Sequence, residues 1–149
     1  MRAINHIVIH ATATKASQDV SATDINRWHK HNGWSGIGYH YVVKLNGSIE
    51  NGRPEGIRGA HVKGHNHDSI GVVYVGGLDE NAKPDDTRTT AQKIALIKLL
   101  TRLKKKYPKA IISGHRDFSK DLNGNGVIEP SEFMKACPCF DAKTEYHDL

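Results

Sequence analysis

Long apolar runs are missing from this 149-residue chain. No stretch approaches the roughly 20 apolar residues that span a bilayer, so no membrane insertion is expected. The first nine residues reach His10 before any apolar run attains the length of a signal. A cleavable leader is therefore not expected, and the protein is read as made in the cytoplasm. Cysteine is scarce: Cys137 and Cys139 are the only two, one residue apart. That is poor spacing for an unstrained disulfide and excludes a disulfide scaffold; a cytoplasmic or metal-binding role suits them better. Internal repeats, low-complexity tracts and Pro/Gly-rich linkers are also missing, which predicts a single domain over 1–149. Lys plus Arg exceed Asp plus Glu by only 21 to 16, a net charge of +5. With no nucleic-acid-binding motif beside it, that excess predicts no nucleic-acid partner. Its densest cluster, Lys104-Lys105-Lys106, reads either as a solvated helix end or as an attraction to an anionic surface such as a cell wall.

What remains is 38% hydrophobic and 25% charged, the composition of a soluble globular domain, with ten histidines. A chain of this size buries roughly 68–70% of the surface it exposes when unfolded, enough for one core. Ile4–Ile9 reads as a buried strand that delivers His10 at its end. Ser21 to Asp24 resembles a capping box opening a helix with Ile25, Trp28 and His29 on one face, ending near Asn32-Gly33. Tyr39–Leu45, Asn46-Gly47 and Ser48–Glu50 predict a hairpin. Ile70–Val75 reads as a central strand. Thr89 to Gln92 is a second capping box, opening a helix to about Tyr107 with a stripe of Ile94, Leu96, Ile97, Leu99, Leu100, Leu103 and Tyr107. Ala110–Ser113 is a short strand handing over His115. Alternating strands and helices predict an α/β domain with a mixed central sheet flanked by helices. His10 and His115 both follow carboxyl ends of strands, where sites in open α/β sheets are built.

Residues 121–132 match the D-x-[DN]-x-[DN]-G-x5-E pattern of an EF-hand loop at every defined place. Asp121, Asn123 and Asn125 offer side-chain oxygens and Gly126 permits the sharp turn. Val127 offers its carbonyl, Glu129 reaches the ion through water, and Glu132 closes the shell with two oxygens. The alternative is an Asn/Gly-rich turn that binds nothing. The flanks lack room for two full helices, which predicts a lone calcium (Ca2+) loop inserted in another fold, its role structural.

A catalytic zinc site keeps three protein ligands and one open position. There is no H-E-x-x-H helix, so the ligands must come from separate elements. His10, His115 and Cys137 are the candidates at strand ends, although any one histidine taken singly is more often an ordinary hydrogen-bonded residue. The order of Ile7 to Thr14, Trp28-His29-Lys30, Gly38-Tyr39-His40-Tyr41, Gly59 to Val72, Val75-Gly76-Gly77, Gly114 to Asp117 and Lys135 to Asp141 resembles the type 2 N-acetylmuramoyl-L-alanine amidases. The likeness is to zinc amidases of the phage lysozyme kind and, more distantly, to peptidoglycan recognition proteins. It covers about Asn5 to Asp141.

The resemblance implies a zinc (Zn2+) centre of His10, His115 and Cys137, a catalytic Tyr39 and Lys135, and a groove lined by His61, Lys63, Asn66 and His67. It implies peptidoglycan as the partner and hydrolysis of the amide between N-acetylmuramic acid and the first L-alanine of the stem. The expected protein is a monomer acting on the cell wall after release or export. Two imidazoles and one thiolate leave a zinc centre of charge +1, which acidifies water and polarises a carbonyl. Lys135, two residues before Cys137, would share its face in an extended segment and stabilise the oxyanion; a surface salt bridge is its alternative. Cys139 reads as a small buried hydrophobe or as a second metal ligand. Trp28 and Trp34 read as packing, with stacking in the groove as the alternative. A catalytically silent binding module and a protein-regulating module are the rival functions. Silent recognition proteins lack the metal cysteine, which is present here as Cys137.

Overall fold

The structure, a computed structural model, describes residues 2–119 and 136–149. The expected calcium loop (Asp121, Asn123, Asn125, Val127, Glu129, Glu132) and Lys135 lie outside the described residues. In chain order the elements are β1 (His6–Ala11), β2 (Thr14–Lys15), α1 (Ala22–His31), β3 (Tyr41–Val43), β4 (Ile49–Asn51), β5 (Ser69–Tyr74), β6 (Gly77–Leu78), α2 (Thr90–Lys106), β7 (Ile111–Gly114) and α3 (Ala142–Glu145). Short 3₁₀ turns cover Asn66–Asp68 and His115–Phe118.

Five strands form one sheet in the order β4-β3-β5-β1-β7. β1 is parallel to β5 and β7, β3 is parallel to β5, and β4 runs antiparallel at the edge. Parallel neighbours cannot be joined by tight turns, so the connections carry helices that cover both faces. On one face Ile7, Ile9, Ile70, Val72, Tyr74 and Ile112 pack under Leu96, Leu99, Leu100 and Leu103 of α2. On the other, Val42, Val73 and Val75 pack with Ile25 of α1 and Ile37. Side chains alternate along a strand. Ile7, Ile9 and Ala11 therefore go under α2, and His6, Val8 and His10 share the opposite face.

Both capping boxes form: Ser21 with Asp24, and Thr89 with Gln92. Gln92 is fully buried, and its Nε2 donates to the carbonyls of Val43 (3.2 Å) and Val75 (2.9 Å), pinning the start of α2 to two strand ends. The α2 stripe is narrower than the sequence predicts, because Ile94 and Ile97 are half exposed. At about 100° per residue they lie roughly 160° and 100° around the helix from Leu96, off the seam. Trp28, 43% exposed, is likewise not core. The hairpin forms with a three-residue connection. Lys44 N–H donates to Ser48 O at 2.9 Å and Gly47 N–H to Lys44 O at 2.8 Å. Gly47 takes φ +85°, and a Cβ there would meet Ala91 O at 2.8 Å. A glycine in the left-handed conformation at the third loop position is the pattern of a three-residue loop, which replaces a two-residue Asn-Gly turn.

Chain after the central sheet is fastened through Arg88. Its buried guanidinium bonds Asp86 and Glu145 (2.7–2.9 Å) and lies 3.4 Å over the Phe140 ring, tying α3 to the segment before α2. Among the described residues no helix is long and apolar enough to cross a membrane.

Candidate metal centre

β1 and β7 run parallel and end side by side, Ile9 opposite Gly114. The next residues, His10 and His115, therefore emerge at one place, their ring centroids 4.7 Å apart. Cys137 is brought to the same place by hydrogen bonds around it. Its carbonyl accepts from Arg116 N–H at 2.8 Å, and Tyr74, rising through the sheet, donates its hydroxyl to Pro138 O at 2.6 Å. Gly114 is needed for this fit, because a Cβ there would meet Pro138 Cδ at 2.5 Å. One ligand atom from each of His10, His115 and Cys137 lies within 4.8 Å of the others. Ala11 N–H points at Cys137 Sγ from 3.1 Å, a dipole that favours the thiolate. Two imidazole nitrogens and a thiolate sulfur form the donor set of a three-ligand zinc site, and the cluster opens into a cleft of about 250 Å³.

His10 is fully buried, and its Nε2 is 2.9 Å from Nδ1 of His61. His61 Nε2 in turn meets Ser69 Oγ at 3.1 Å. A chain of this kind behind a ligating histidine fixes its tautomer and ring plane. Burial, with His40 and His115 nearby, pushes His61 down to about 3, so it stays neutral. It fits only because Gly71 lies beneath it: a Cβ at Gly71 would meet the imidazole at 2.7 Å. The loop carrying His61 is folded by Asn66, whose Oδ1 accepts from the N–H groups of His61 and Val62, both at 2.9 Å.

Tyr39 lies just ahead of β3, not within the strand, its ring 5.0 Å from that of His10. Burial, and then the neighbouring Cys137, raise its pKa far above the ordinary phenol value. It remains a hydroxyl donor at any working pH. His29 stands behind it, accepting from Gly38 N–H at 2.8 Å and packing against Trp34 and Tyr39 at 4.6 and 5.5 Å.

The structure thus brings together His10, His115, Cys137, Tyr39 and His61. Asn66 acts from within the loop, Lys63 is exposed, and His67 lies near Asp68 instead of lining the cleft. Trp34, 44% exposed, lines the cleft. This is the alternative that the sequence offered for Trp34; its place and that of His29 follow from the fold of the α1–β3 connection, and the Trp28-His29 motif gave the signal for His29. Cys139 is a free thiol whose Sγ donates to Gly77 O at 3.3 Å, and it is not among the metal-binding groups of the described residues.

Residues 1–138 match the family model described as N-acetylmuramoyl-L-alanine amidase. The endolysin of Escherichia phage T7 is 42% identical over 137 residues, 92% of this chain and 82% of that protein. The structure of N-acetylmuramoyl-L-alanine amidase LysC from Clostridium intestinale superposes with a TM-score of 0.72 at 29% identity, covering 95% of this chain and 80% of that one. Drosophila PGRP-LB superposes with a TM-score of 0.73 over 100% of this chain and 82% of its own; at 20% identity it shows the shared fold alone. The chain belongs to the N-acetylmuramoyl-L-alanine amidase family, related in fold to the peptidoglycan recognition proteins, and is an enzyme of that class.

Proposed function

We propose that the chain is a zinc-dependent cell-wall lytic enzyme that hydrolyses the amide between N-acetylmuramic acid and L-alanine in peptidoglycan, as an endolysin does. The observation that carries this reading is the convergence of His10, His115 and Cys137 at adjacent strand ends in an open cleft. These three residues would hold the zinc, and the donor set fits it. Zinc held there supplies a Lewis acid that polarises a carbonyl and acidifies water. His61, braced by Ser69, keeps the His10 ring oriented. Tyr39, held protonated, donates to the oxygen on which charge develops as the amide is attacked. Lys135 is read from its place two residues before Cys137 as a second donor to that oxygen. Trp34 and the exposed Lys63 are the side chains offered to the glycan and the stem. The motif at 121–132 is read as a structural calcium loop, and the protein as a monomer acting on the wall after release or export.

The test is mass spectrometry of muropeptides after digestion of purified peptidoglycan, with zinc counted in the same preparations. Free stems beginning with L-alanine are expected from the wild type, with no product and no zinc at this centre in Cys137→Ser. Binding to peptidoglycan without release of stems would instead establish a silent recognition module. Full activity in metal-free Cys137→Ser would overturn the zinc assignment.

A further inference from the structure

At the opposite end of β1 from His10, a second set of side chains of metal-ligating type meets. His6, His65 and Asp68 each place a ligand atom within 4.8 Å of the other two. All three sit on fixed backbone. His6 opens β1 and is in register with Ser69, the residue after Asp68. Asn5 N–H donates to Asp68 O at 2.8 Å, and Asp68 N–H to His65 O at 3.3 Å. The rings of His6 and His65 meet edge to face at 5.2 Å, and Phe118 packs against both at 5.4 and 4.8 Å.

The carboxylate of Asp68 supplies an independent observation. Its Oδ2 accepts from Asn5 Nδ2 at 3.1 Å, with His67 Nε2 at 4.0 Å. Its Oδ1 is buried and accepts no hydrogen bond from the described residues. The nearest imidazole nitrogen, His65 Nδ1, is 3.9 Å away, beyond hydrogen-bond reach. A buried carboxylate oxygen without a partner is costly, and native structures resolve such atoms with water or an ion. Here the orphan oxygen belongs to a carboxylate grouped with two imidazoles, an arrangement that a cation satisfies.

We propose that His6, His65 and Asp68 form a second site for a divalent first-row transition ion of the zinc class. Two imidazoles and one carboxylate suit such an ion, whereas calcium and magnesium favour shells made of oxygen. His6 and His10 share a face of β1 and are four residues apart, roughly 13 Å at strand rise. Two-metal catalytic pairs are only about 3.5–4 Å apart, so this ion takes no part in the chemistry at His10. Its role is to bolt the end of the loop carrying His61 onto the start of β1.

The test is titration of zinc into the metal-depleted full-length protein at constant saturating calcium, with bound metal counted after desalting and melting followed in parallel. Wild type is expected to retain two zinc ions, and Cys137→Ser one. Cys137→Ser should also melt roughly 5–10 °C higher at hundredfold excess of zinc over its dissociation constant. Adding Asp68→Asn or His6→Gln to Cys137→Ser should abolish both the remaining ion and the shift; two variants guard against misfolding of one. Cobalt in Cys137→Ser should give visible bands without thiolate charge transfer. If Cys137→Ser retains no zinc and shows no shift, the second site does not exist. If its one zinc survives both Asp68→Asn and His6→Gln, the ion sits elsewhere and the proposal fails. Loss of one wild-type ion through Asp68→Asn alone counts for this site whatever becomes of the centre at Cys137.

Discussion

At the scale of single residues, the centre depends as much on what is absent beneath a ring as on the ring itself. Gly71 leaves the space that His61 fills, and His61 orients His10. Gly71→Ala drives a methyl group into the imidazole at 2.7 Å, inside a packed sheet. It is expected to cost about 1–3 kcal/mol of stability, as overpacking does. It should also weaken metal retention without altering a ligand. Denaturant unfolding with zinc counting checks this: normal metal retention in a destabilised protein would separate His61 from the centre. The three residues that meet at the candidate centre were legible in the sequence, because His10 and His115 end apolar strands and Cys137 sits within a run that resembles the family. The brace behind them was not. His61 and His10 are 51 residues apart, and their contact at 2.9 Å exists only once β1 and β5 pair.

Among the elements, α3 shows how charge holds a late segment in place. Hydrogen bonds from Arg88 hold the Glu145 carboxyl below the ordinary carboxylate range. Burial pushes Asp86 upward, but Arg88 outweighs it and leaves that group lowered as well. A group whose folded pKa lies below its unfolded value contributes stability above the unfolded value and loses it as pH falls through the folded one. Glu145→Gln should therefore lower the melting temperature at pH 6–7. The gap to wild type should close as pH falls below the ordinary carboxylate range and through the lowered value of Glu145, where both side chains are neutral. Glu145 is nearly half exposed, so solvent screens the pair and the gap is small. Melting curves at pH 7 and pH 3 decide it; an equal gap at both would assign the effect to packing. Both helix starts were legible, since capping boxes are local. The true width of the α2 face was not, because Ile94 and Ile97 are as apolar as the leucines they flank, and only the position of the sheet distinguishes them.

For the whole molecule, the order of ligands along the chain matters. The EF-hand-like segment 121–132 stands in sequence between His115 and Cys137. An ion that binds only the folded state stabilises it by about 2.7 kcal/mol at hundredfold excess over its dissociation constant. Asp121→Ala combined with Glu132→Ala is expected to lower the melting temperature and speed zinc loss, although no zinc ligand has changed. Calcium add-back in wild type should do the reverse, and mutants are preferred to chelators, which strip zinc as well. If millimolar calcium changes neither melting nor zinc retention, the segment is a turn. The architecture was legible at this scale from the alternation of strands and helices. The strand order was not, since nothing local in β1 states that its neighbours are β5 and β7.

That order bears on how the protein is made. β1 is paired on one side with a strand starting at Ser69 and on the other with one starting at Ile111. At typical synthesis rates of about 5–20 residues per second, an apolar strand leaving the ribosome waits roughly 5–20 s for its second neighbour. Pairings of such sequence separation are slow to form and leave sticky edges exposed meanwhile. The later of these pairings, β1 with β7, is needed before His10 and His115 can meet. An enzyme built this way has no assembled centre until β7 has paired and Cys137 has followed it from the ribosome, so activity is expected only once nearly the whole chain is made.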